Sequence, residues 1–257
     1  MFQRVGQIYI VLNWKIYASI ADCFILPPYI RQLAGEVLSY NLKFILCPPA
    51  PFLSTVFEVL KPLPKNLALG AQDISHIEDG AATGEIAAKT VSPWASYTIV
   101  GHSEHRHNHH ETNYRISEKA SLALKYNLVP IICVGEEKRS GIATTFVEEQ
   151  LAQSLVLLDK EALKKVIIAY EPVWAIGAQD PAPQDYAENM LKHLRKLLPA
   201  ETKIMYGGSV FEDNAKDFIE VGFDGLFIGR ASLKRKSLEG IINKIKDVIN
   251  SRSTTQK

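Results

Sequence analysis

The segment Val166-Ile167-Ile168-Ala169-Tyr170-Glu171 runs from a short apolar stretch directly into a carboxylate. A continuous apolar run of this length is typical of a β-strand that is buried on both faces. An acidic side chain at the end of such a strand is costly unless it has a partner or a chemical task. The segment therefore predicts a core strand that delivers Glu171 either to a functional site or to a structural ion pair.

Short apolar runs of the same kind alternate with longer amphipathic segments along the chain. The segments between the runs have apolar stripes at helical spacing, most clearly at 187–198 and 238–249. Eight strand–helix units in 257 residues are typical of a (β/α)8 barrel, although an open doubly wound sheet alternates in the same way. The predicted strands are Ile8–Leu12, Phe44–Cys47, Leu67–Ala71, Tyr97–Val100, Val129–Val134, Val166–Tyr170, Lys203–Tyr206 and Gly225–Ile228.

The residues that follow the predicted strands distinguish between these two architectures. Polar residues or glycine stand at or just after the ends of different strands, namely Asn13, Lys15, His102, Glu171, Ser209 and Gly229. In a closed barrel these ends converge on one mouth, whereas in an open sheet they are spread along an edge. We therefore predict an α/β fold, a single (β/α)8 TIM barrel with eight parallel strands.

Composition sets further bounds on the protein. A formal net charge of +1 with 47% hydrophobic residues suits one large domain, which we expect over residues 1–250, with a frayed polar tail at 251–257. The balanced charge and the lack of a long apolar stretch predict binding to neither nucleic acid nor membrane. The cysteines Cys23, Cys47 and Cys133 are odd in number and far apart, which favours the reducing cytoplasm.

Glycine-rich loops follow the last two predicted strands. They are Gly207-Gly208-Ser209 after the seventh strand and Gly229-Arg230 after the eighth. Backbone N–H groups from two such loops, together with the start of a short helix, can surround a dianion. A lone Gly-Gly usually marks only a tight turn, but the pair of loops predicts a phosphate site.

The segment Gly101-His102-Ser103-Glu104-His105 allows two other interpretations. His105 stands where the nucleophile elbow G-x-S-x-G of hydrolases needs its second glycine, so a hydrolase is disfavoured. Five histidines between positions 102 and 110 suggest a metal site, yet no ordered motif such as H-E-x-x-H is present. We therefore predict no metal and no cofactor, and we interpret the last four histidines as a solvated loop and helix start.

Several motifs follow one another in a fixed order and spacing between Asn13 and Leu233. They are Asn13-Trp14-Lys15, Gly70-Ala71-Gln72-Asp73, Thr83-Gly84-Glu85, Gly101-His102-Ser103-Glu104, Cys133-Val134-Gly135-Glu136, the segment from Glu171 to Gly177 and the segment from Tyr206 to Val210. Through these motifs the chain resembles the triosephosphate isomerase family. The resemblance implies an isomerase that interconverts dihydroxyacetone phosphate and glyceraldehyde 3-phosphate through an enediolate, in glycolysis and gluconeogenesis.

The resemblance also implies catalytic roles. Glu171 would remove the carbon-bound proton, and His102 would donate to the carbonyl oxygens as a neutral imidazole. Lys15 would supply positive charge and Asn13 a further donor, because proton removal beside a carbonyl leaves negative charge on oxygen. The phosphate would be held by the backbone N–H groups of Gly177, Ser209, Gly229 and Arg230.

Supporting roles follow from the same resemblance. Residues 172–182 match a mobile lid that excludes water from the enediolate. Glu136 matches the partner of Trp174 in the open lid, and Glu104 matches a supporting acidic residue. Thr83 matches a residue that reaches into the site of a second subunit, which implies a homodimer.

The chain departs from the family pattern at several positions. Leu12 replaces a small residue, Arg230 replaces a second glycine, Asp180-Pro181 occupies the second lid hinge, and His109-His110 replaces an aromatic-glycine pair. Because the first and last strands of a barrel are neighbours, the changes at Leu12 and Arg230 could be related. Two alternatives remain open: an isomerase of a four-carbon sugar phosphate with extra room beside Leu12 or under the lid, and an inactive phosphate-binding barrel.

Overall fold

A computed structural model describes residues 6–178 and 181–254 of the chain, which form a closed barrel of parallel strands surrounded by helices. The strands are β1 (Ile8–Asn13), β2 (Leu42–Cys47), β3 (Leu67–Ala71), β4 (Tyr97–Val100), β5 (Val129–Val134), β6 (Ile167–Tyr170), β7 (Lys203–Tyr206) and β8 (Gly225–Ile228). The helices are α1 (Asp22–Glu36), α2 (Leu53–Leu60), α3 (Ala88–Val91), α4 (Ser103–His109), α5 (Asn113–Lys125), α6 (Ala143–Ser154), α7 (Lys160–Leu163), α8 (Gln184–Leu197), α9 (Glu212–Glu220) and α10 (Arg235–Thr254).

The predicted (β/α)8 barrel is confirmed. Each strand pairs in parallel with its neighbours in the sequence, and β8 pairs with β1 to close the barrel. The observed strands match the predicted runs except for one or two residues at the ends of β1, β2 and β6. Apolar runs were sufficient to find the strands because parallel strands covered by helices are buried on both faces.

The core has two layers, because alternate residues of a strand point to opposite faces. One cluster fills the inside of the barrel and includes Val11, Ile131 and Phe227. A larger cluster packs the outside of the barrel against the helices and includes Leu12. Leu12 is fully buried in this outer layer, so it does not border the barrel interior.

The side chain of Arg106 joins the ends of neighbouring strands beneath the mouth of the barrel. Its Nε donates to the carbonyl oxygen of Gly101 at 2.8 Å, and its guanidinium also donates to the carbonyl oxygen of Cys133 at 2.9 Å. Gly101 follows β4, and Cys133 lies near the end of β5. These bonds fix the turn that leads into α4.

The remaining sequence expectations concern regions outside the barrel. Helix α10 extends to Thr254, so it includes the first part of the polar tail, and residues 255–257 lie outside the described residues. The lid hinge residue Asp180 also lies outside them. Within 6–178 and 181–254, no helix combines the length and apolar character that a bilayer crossing requires.

Position 225 lies in the strand pair that closes the barrel, where Gly225 is paired with Tyr9 of β1. We predict that this position does not tolerate a side chain. A Cβ at position 225 would lie 2.1 Å from the carbonyl oxygen of Tyr9, and a backbone atom cannot move aside without disturbing the strand pair. We expect Gly225→Ala to lower the free energy of unfolding by about 1–3 kcal/mol, the usual range for overpacking. Urea unfolding followed by circular dichroism measures this change.

Gly35 provides a matched control because it lies in α1 and a Cβ there would meet nothing within 4 Å. We expect Gly35→Ala to raise the free energy of unfolding by about 0.5–1 kcal/mol through its helix propensity. Equal stability of Gly225→Ala and the wild type would contradict this account of closure.

Candidate active site

A cavity of about 360 Å³ opens at the carboxyl ends of the strands. Most of the residues that the sequence singled out line it: Lys15, His102, Glu104, Glu171, Gly177, Ser209, Gly229 and Arg230. Asn13 and Thr83 are not among the lining residues. Parallel strands in a closed barrel bring these ends together although the residues are far apart in the chain.

Glu171 and His102 face each other in this cavity. Glu171 follows β6 and is only 1% exposed, and its Oε1 lies 3.2 Å from Nε2 of His102. Its other oxygen, Oε2, accepts a hydrogen bond from the backbone N–H of Ser103 at 3.2 Å. Oε1 accepts no hydrogen bond of normal geometry from the described residues. A buried carboxylate oxygen without such a donor is left available to a ligand in the cavity.

The contacts of His102 define which ring nitrogen faces the cavity as a donor. Its Nδ1 accepts the backbone N–H of Glu104 at 3.2 Å, so that His102 caps the first turn of α4. A nitrogen that accepts this bond has no proton of its own. A neutral imidazole at this position therefore has its proton on Nε2, on the side of Glu171.

Lys15 lines the same cavity and is held by polar contacts. Its Nζ lies 2.5 Å from Oε1 of Glu104. Its backbone has a φ of 49°, an uncommon conformation for a residue with a side chain. The side chain of Asn13 stabilises this conformation by accepting the N–H of Lys15 at 3.0 Å, and Gln72 donates to the Lys15 carbonyl at 2.9 Å. Asn13 is therefore adjacent to the cavity through its contact with Lys15.

The loops after β6, β7 and β8 meet at the other end of the cavity. Ser209 joins two of them, because its Oγ accepts the N–H of Gly177 and donates to the carbonyl of Ala175, both at 2.8 Å. Gly229 follows β8 and precedes a short 3-10 helix at Arg230–Leu233. The loops after β6, β7 and β8 thus contribute Gly177, Ser209 and Gly229 to one part of the cavity lining.

Close packing under Glu171 depends on a glycine of the loop after β7. A Cβ at Gly207 would lie 2.9 Å from Cγ of Glu171. The absence of a side chain at this position leaves room for the carboxylate arm. The glycine pair therefore has a packing role as well as the predicted role in anion binding.

Glu136 gathers three hydrogen-bond donors at the start of the segment that the resemblance matches to a lid. Its Oε1 accepts hydrogen bonds from Nε1 of Trp174 at 2.8 Å, the hydroxyl of Tyr186 at 2.8 Å and the hydroxyl of Tyr170 at 3.0 Å. The contact between Glu136 and Trp174 is the one that the resemblance implied. Burial raises the pKa of Tyr186 to about 12, so this hydroxyl stays protonated and remains a donor.

Cys133 lies in the interior of the barrel and interacts electrostatically with Glu171. Burial raises the pKa of the Cys133 thiol well above its usual range, and the charge of Glu171 raises it further. A thiol that stays protonated is a poor nucleophile. The site is therefore suited to proton transfer rather than to covalent catalysis by cysteine.

The histidine segment is divided between two environments. Only His102 lines the cavity, whereas His105 lies near Asp73 and Glu111, and these three are the one potential metal-binding group in the described part of the chain. Both carboxylates contact the ammonium of Lys119, which lies 2.7 Å from Oδ2 of Asp73. The single positive charge of the ammonium balances one of the two carboxylates, and burial raises the pKa of Asp73 to about 7.

Some lining residues were not identified from the sequence, namely Tyr17, Ile176, Phe211 and Phe227. Phe227 could have been found, because strand alternation places it on the inner face of β8 beside Val11 and Met205. Tyr17 had no such signal, since it lies in the loop after Lys15. The expected relation between Leu12 and Arg230 is not supported, because Leu12 packs outward and the guanidinium of Arg230 contacts Tyr17.

Comparisons with known proteins agree with this geometry. The family model for triosephosphate isomerase matches residues 8–245. Proteins named triosephosphate isomerase from Cytophaga hutchinsonii and Dictyoglomus turgidum are each 36% identical to this chain, over 87% and 91% of it and 93% and 97% of their own lengths. The protein of the same name from Cupriavidus taiwanensis is 37% identical over 91% of this chain and 98% of its own length.

The double role of Ser209 predicts a measurable change in the order of the lid. We expect Ser209→Ala to speed hydrogen exchange of the Gly177 amide about tenfold or more, because the amide loses its acceptor. Ser232→Ala is the control, since Ser232 Oγ donates at 2.7 Å to the carbonyl of Gly229 and not to the lid. NMR-detected exchange measures both variants, and an unchanged rate for Gly177 in Ser209→Ala would contradict the role of this bond.

Proposed function

The chain belongs to the triosephosphate isomerase family, and on this basis we propose how its own residues interconvert dihydroxyacetone phosphate and glyceraldehyde 3-phosphate. The observation that carries the proposal is the juxtaposition of a buried carboxylate, Glu171, with the Nε2 atom of His102 at 3.2 Å. Deprotonation beside a carbonyl needs a base on carbon and a donor on oxygen in one water-poor cavity.

Glu171 is the base in this proposal. Its Oε1 takes the proton from the carbon next to the carbonyl, the electron pair of the C–H bond becomes a carbon–carbon double bond, and the π pair of the carbonyl moves onto its oxygen to give an enediolate. The same carboxyl group then returns the proton to the neighbouring carbon. The new carbonyl forms on the other oxygen, whose hydroxyl proton is transferred to the first oxygen. The burial of Glu171 and the lack of a normal hydrogen bond to Oε1 support this role.

His102 and Lys15 stabilise the negative charge that develops on oxygen. The acceptor role of His102 Nδ1 leaves Nε2–H as the donor of a neutral ring, which suits transfer of a proton between the two oxygens of the enediolate. Lys15 contributes a full positive charge, and Asn13 supports it through the 3.0 Å hydrogen bond to its backbone. Preorganised donors of this kind stabilise the transition state more than the ground state.

The phosphate of the substrate binds where the loops after β6, β7 and β8 meet. The backbone N–H groups of Gly177, Ser209, Gly229 and Arg230 are the proposed donors. The hydrogen bond between Gly177 and Ser209 supports a lid that moves together with this end of the cavity. Holding the phosphate fixes the reacting carbon relative to Glu171, and such positioning accounts for a large share of catalysis.

A three-carbon substrate fits these observations better than the four-carbon alternative. The extra room expected beside Leu12 lies outside the cavity, because Leu12 packs against the helices. We also propose that residues 1–250 act as one catalytic domain and that the protein is cytoplasmic. The latter is supported by Cys23, Cys47 and Cys133, all of which are free and buried, as suits a reducing compartment.

Substitution of Glu171 tests the mechanism directly. Glu171→Asp withdraws the carboxylate by about 1 Å and should lower kcat about a hundredfold, since geometry limits the step. Glu171→Gln removes the base and should lower kcat about a thousandfold or more. Steady-state isomerisation of dihydroxyacetone phosphate measures both variants, with Glu149→Gln on the exposed face of α6 as the control. Near wild-type turnover by Glu171→Gln would refute the mechanism.

We further propose that the protein is a homodimer in which Thr83 reaches the site of the partner. The loop between β3 and α3 is closed at its base by a 2.8 Å hydrogen bond from the N–H of Ser75 to the carbonyl of Ile86. Its tip, including Thr83, is exposed. Ile16, next to the proposed catalytic Lys15, is 90% exposed, and an apolar side chain at such a position is typical of an interface.

Replacement of the loop tip, residues 78–84, by a short linker should give a folded monomer with at least about a hundredfold lower activity, since the partner would no longer order the loop that contains Lys15. Analytical ultracentrifugation measures the mass, and circular dichroism verifies that the barrel is intact. A wild-type protein that sediments as a fully active monomer would disprove the proposed assembly.

A further inference from the structure

The side chain of Arg230 lies at the mouth of the cavity, close to the end where the phosphate would bind. We propose that its guanidinium is an additional phosphate-binding group, distinct from the backbone N–H of the same residue. This inference rests on the proposed function of the cavity. It identifies Arg230 as a determinant of affinity for the phosphate group, with Tyr17 as the residue that positions it.

The guanidinium of Arg230 is held by an aromatic residue on the loop after β1. It donates to the hydroxyl of Tyr17 at 3.0 Å and lies 4.9 Å from the centre of the Tyr17 ring. Both residues line the same cavity as Gly177, Ser209 and Gly229. Two contacts with Tyr17, one to its hydroxyl and one to its ring, therefore hold the Arg230 charge beside the proposed anion site. Tyr17 itself carries no formal charge.

The charges around the cavity explain why an additional cation is useful. The lining side chains that carry a formal charge comprise two carboxylates, Glu104 and Glu171, and two cations, Lys15 and Arg230. Lys15 is already paired with Glu104 at 2.5 Å. Without Arg230 the lining would have one net negative charge, which disfavours a dianionic phosphate.

The chemistry of the guanidinium suits this task. Its planar fork can donate two parallel hydrogen bonds to phosphate oxygens, and it stacks on an aromatic ring without losing its charge. The contacts with Tyr17 are at an exposed site, where a cation–π contact contributes only a modest stabilisation. The guanidinium can stay stacked on the Tyr17 ring while its N–H groups exchange the Tyr17 hydroxyl, a neutral partner, for the charged oxygens of a phosphate.

Arg230→Gln removes the charge and keeps a polar side chain. We expect the KM for dihydroxyacetone phosphate and the Kd for inorganic phosphate both to rise about tenfold, the low end for a charge-assisted hydrogen bond. Arg230→Lys keeps the charge without the fork and should show an intermediate rise. Isomerisation kinetics give KM, and NMR titration of the backbone amides of Gly177, Ser209 and Gly229 gives Kd.

Arg235 offers a matched control because it stacks on Tyr29 at 5.0 Å and does not line the cavity. Arg235→Gln should change neither constant by more than about twofold. The inference would be overturned if the Kd for phosphate rose less than about threefold in Arg230→Gln, or if it rose equally in Arg235→Gln.

Salt dependence separates a charge contact from a structural effect. The wild type should bind inorganic phosphate more tightly than Arg230→Gln, and this difference in Kd should shrink as NaCl is raised from about 0.05 M to about 0.5 M. The reason is that salt screens an exposed charge pair. An advantage that is independent of salt would reject direct contact. The NMR titration does not require turnover, so an inactive wild type would overturn the proposed function and still leave phosphate binding by Arg230 to be measured.

Tyr17 is tested as a positioning residue by two variants. Tyr17→Phe keeps the ring and should stay within about threefold of the wild type in Kd for phosphate, whereas Tyr17→Ala removes the platform and should approach the loss in Arg230→Gln. The double variant Tyr17→Ala/Arg230→Gln should then bind phosphate only slightly more weakly than Arg230→Gln alone. Additive losses in the double variant would show that Tyr17 acts independently of Arg230 and would refute its positioning role.

Discussion

The pairing of β8 with β1 is the constraint on which the rest of the structure depends. Closure requires the backbone of Tyr9 to approach Gly225, and it makes the carboxyl ends of all the strands converge on one mouth. It also brings the loop that follows β1 against the loop that follows β8. A Cβ at Gly229 would lie only 3.7 Å from Cε of Lys15, so the lysine stem and the anion loop are direct neighbours.

Burial of charge at this mouth is balanced by specific contacts. Glu171 is almost fully buried, and one of its oxygens is satisfied by the backbone N–H of Ser103. The other oxygen faces His102, whose ring orientation is fixed by its role as the cap of α4. The carboxylate is therefore only partly satisfied within the protein. A partly satisfied group at a cavity is suited to exchange a proton with a substrate.

The proposed phosphate end of the cavity is formed by loops rather than by strands. Ser209 connects the segment after β6 to the loop after β7, and Glu136 accepts a hydrogen bond from Trp174. The guanidinium of Arg230, stacked on Tyr17, places a side-chain charge at this end. The proposed base and the proposed anion site thus line one cavity, and holding a phosphate there would fix the reacting carbon relative to Glu171.

The sequence by itself determined the barrel, because strands buried on both faces appear in the sequence as continuous apolar runs. It also determined most of the cavity-lining residues, because polar residues and glycines follow the ends of these runs. Only the tertiary structure decided which way the individual side chains face. Leu12 looked like a neighbour of Arg230, yet strand alternation turns it toward the helices, and Arg230 instead meets Tyr17 from a loop distant in the chain. Loop conformation and the contacts between loops depend on the closed barrel, so neither apolar periodicity nor local motifs encode them.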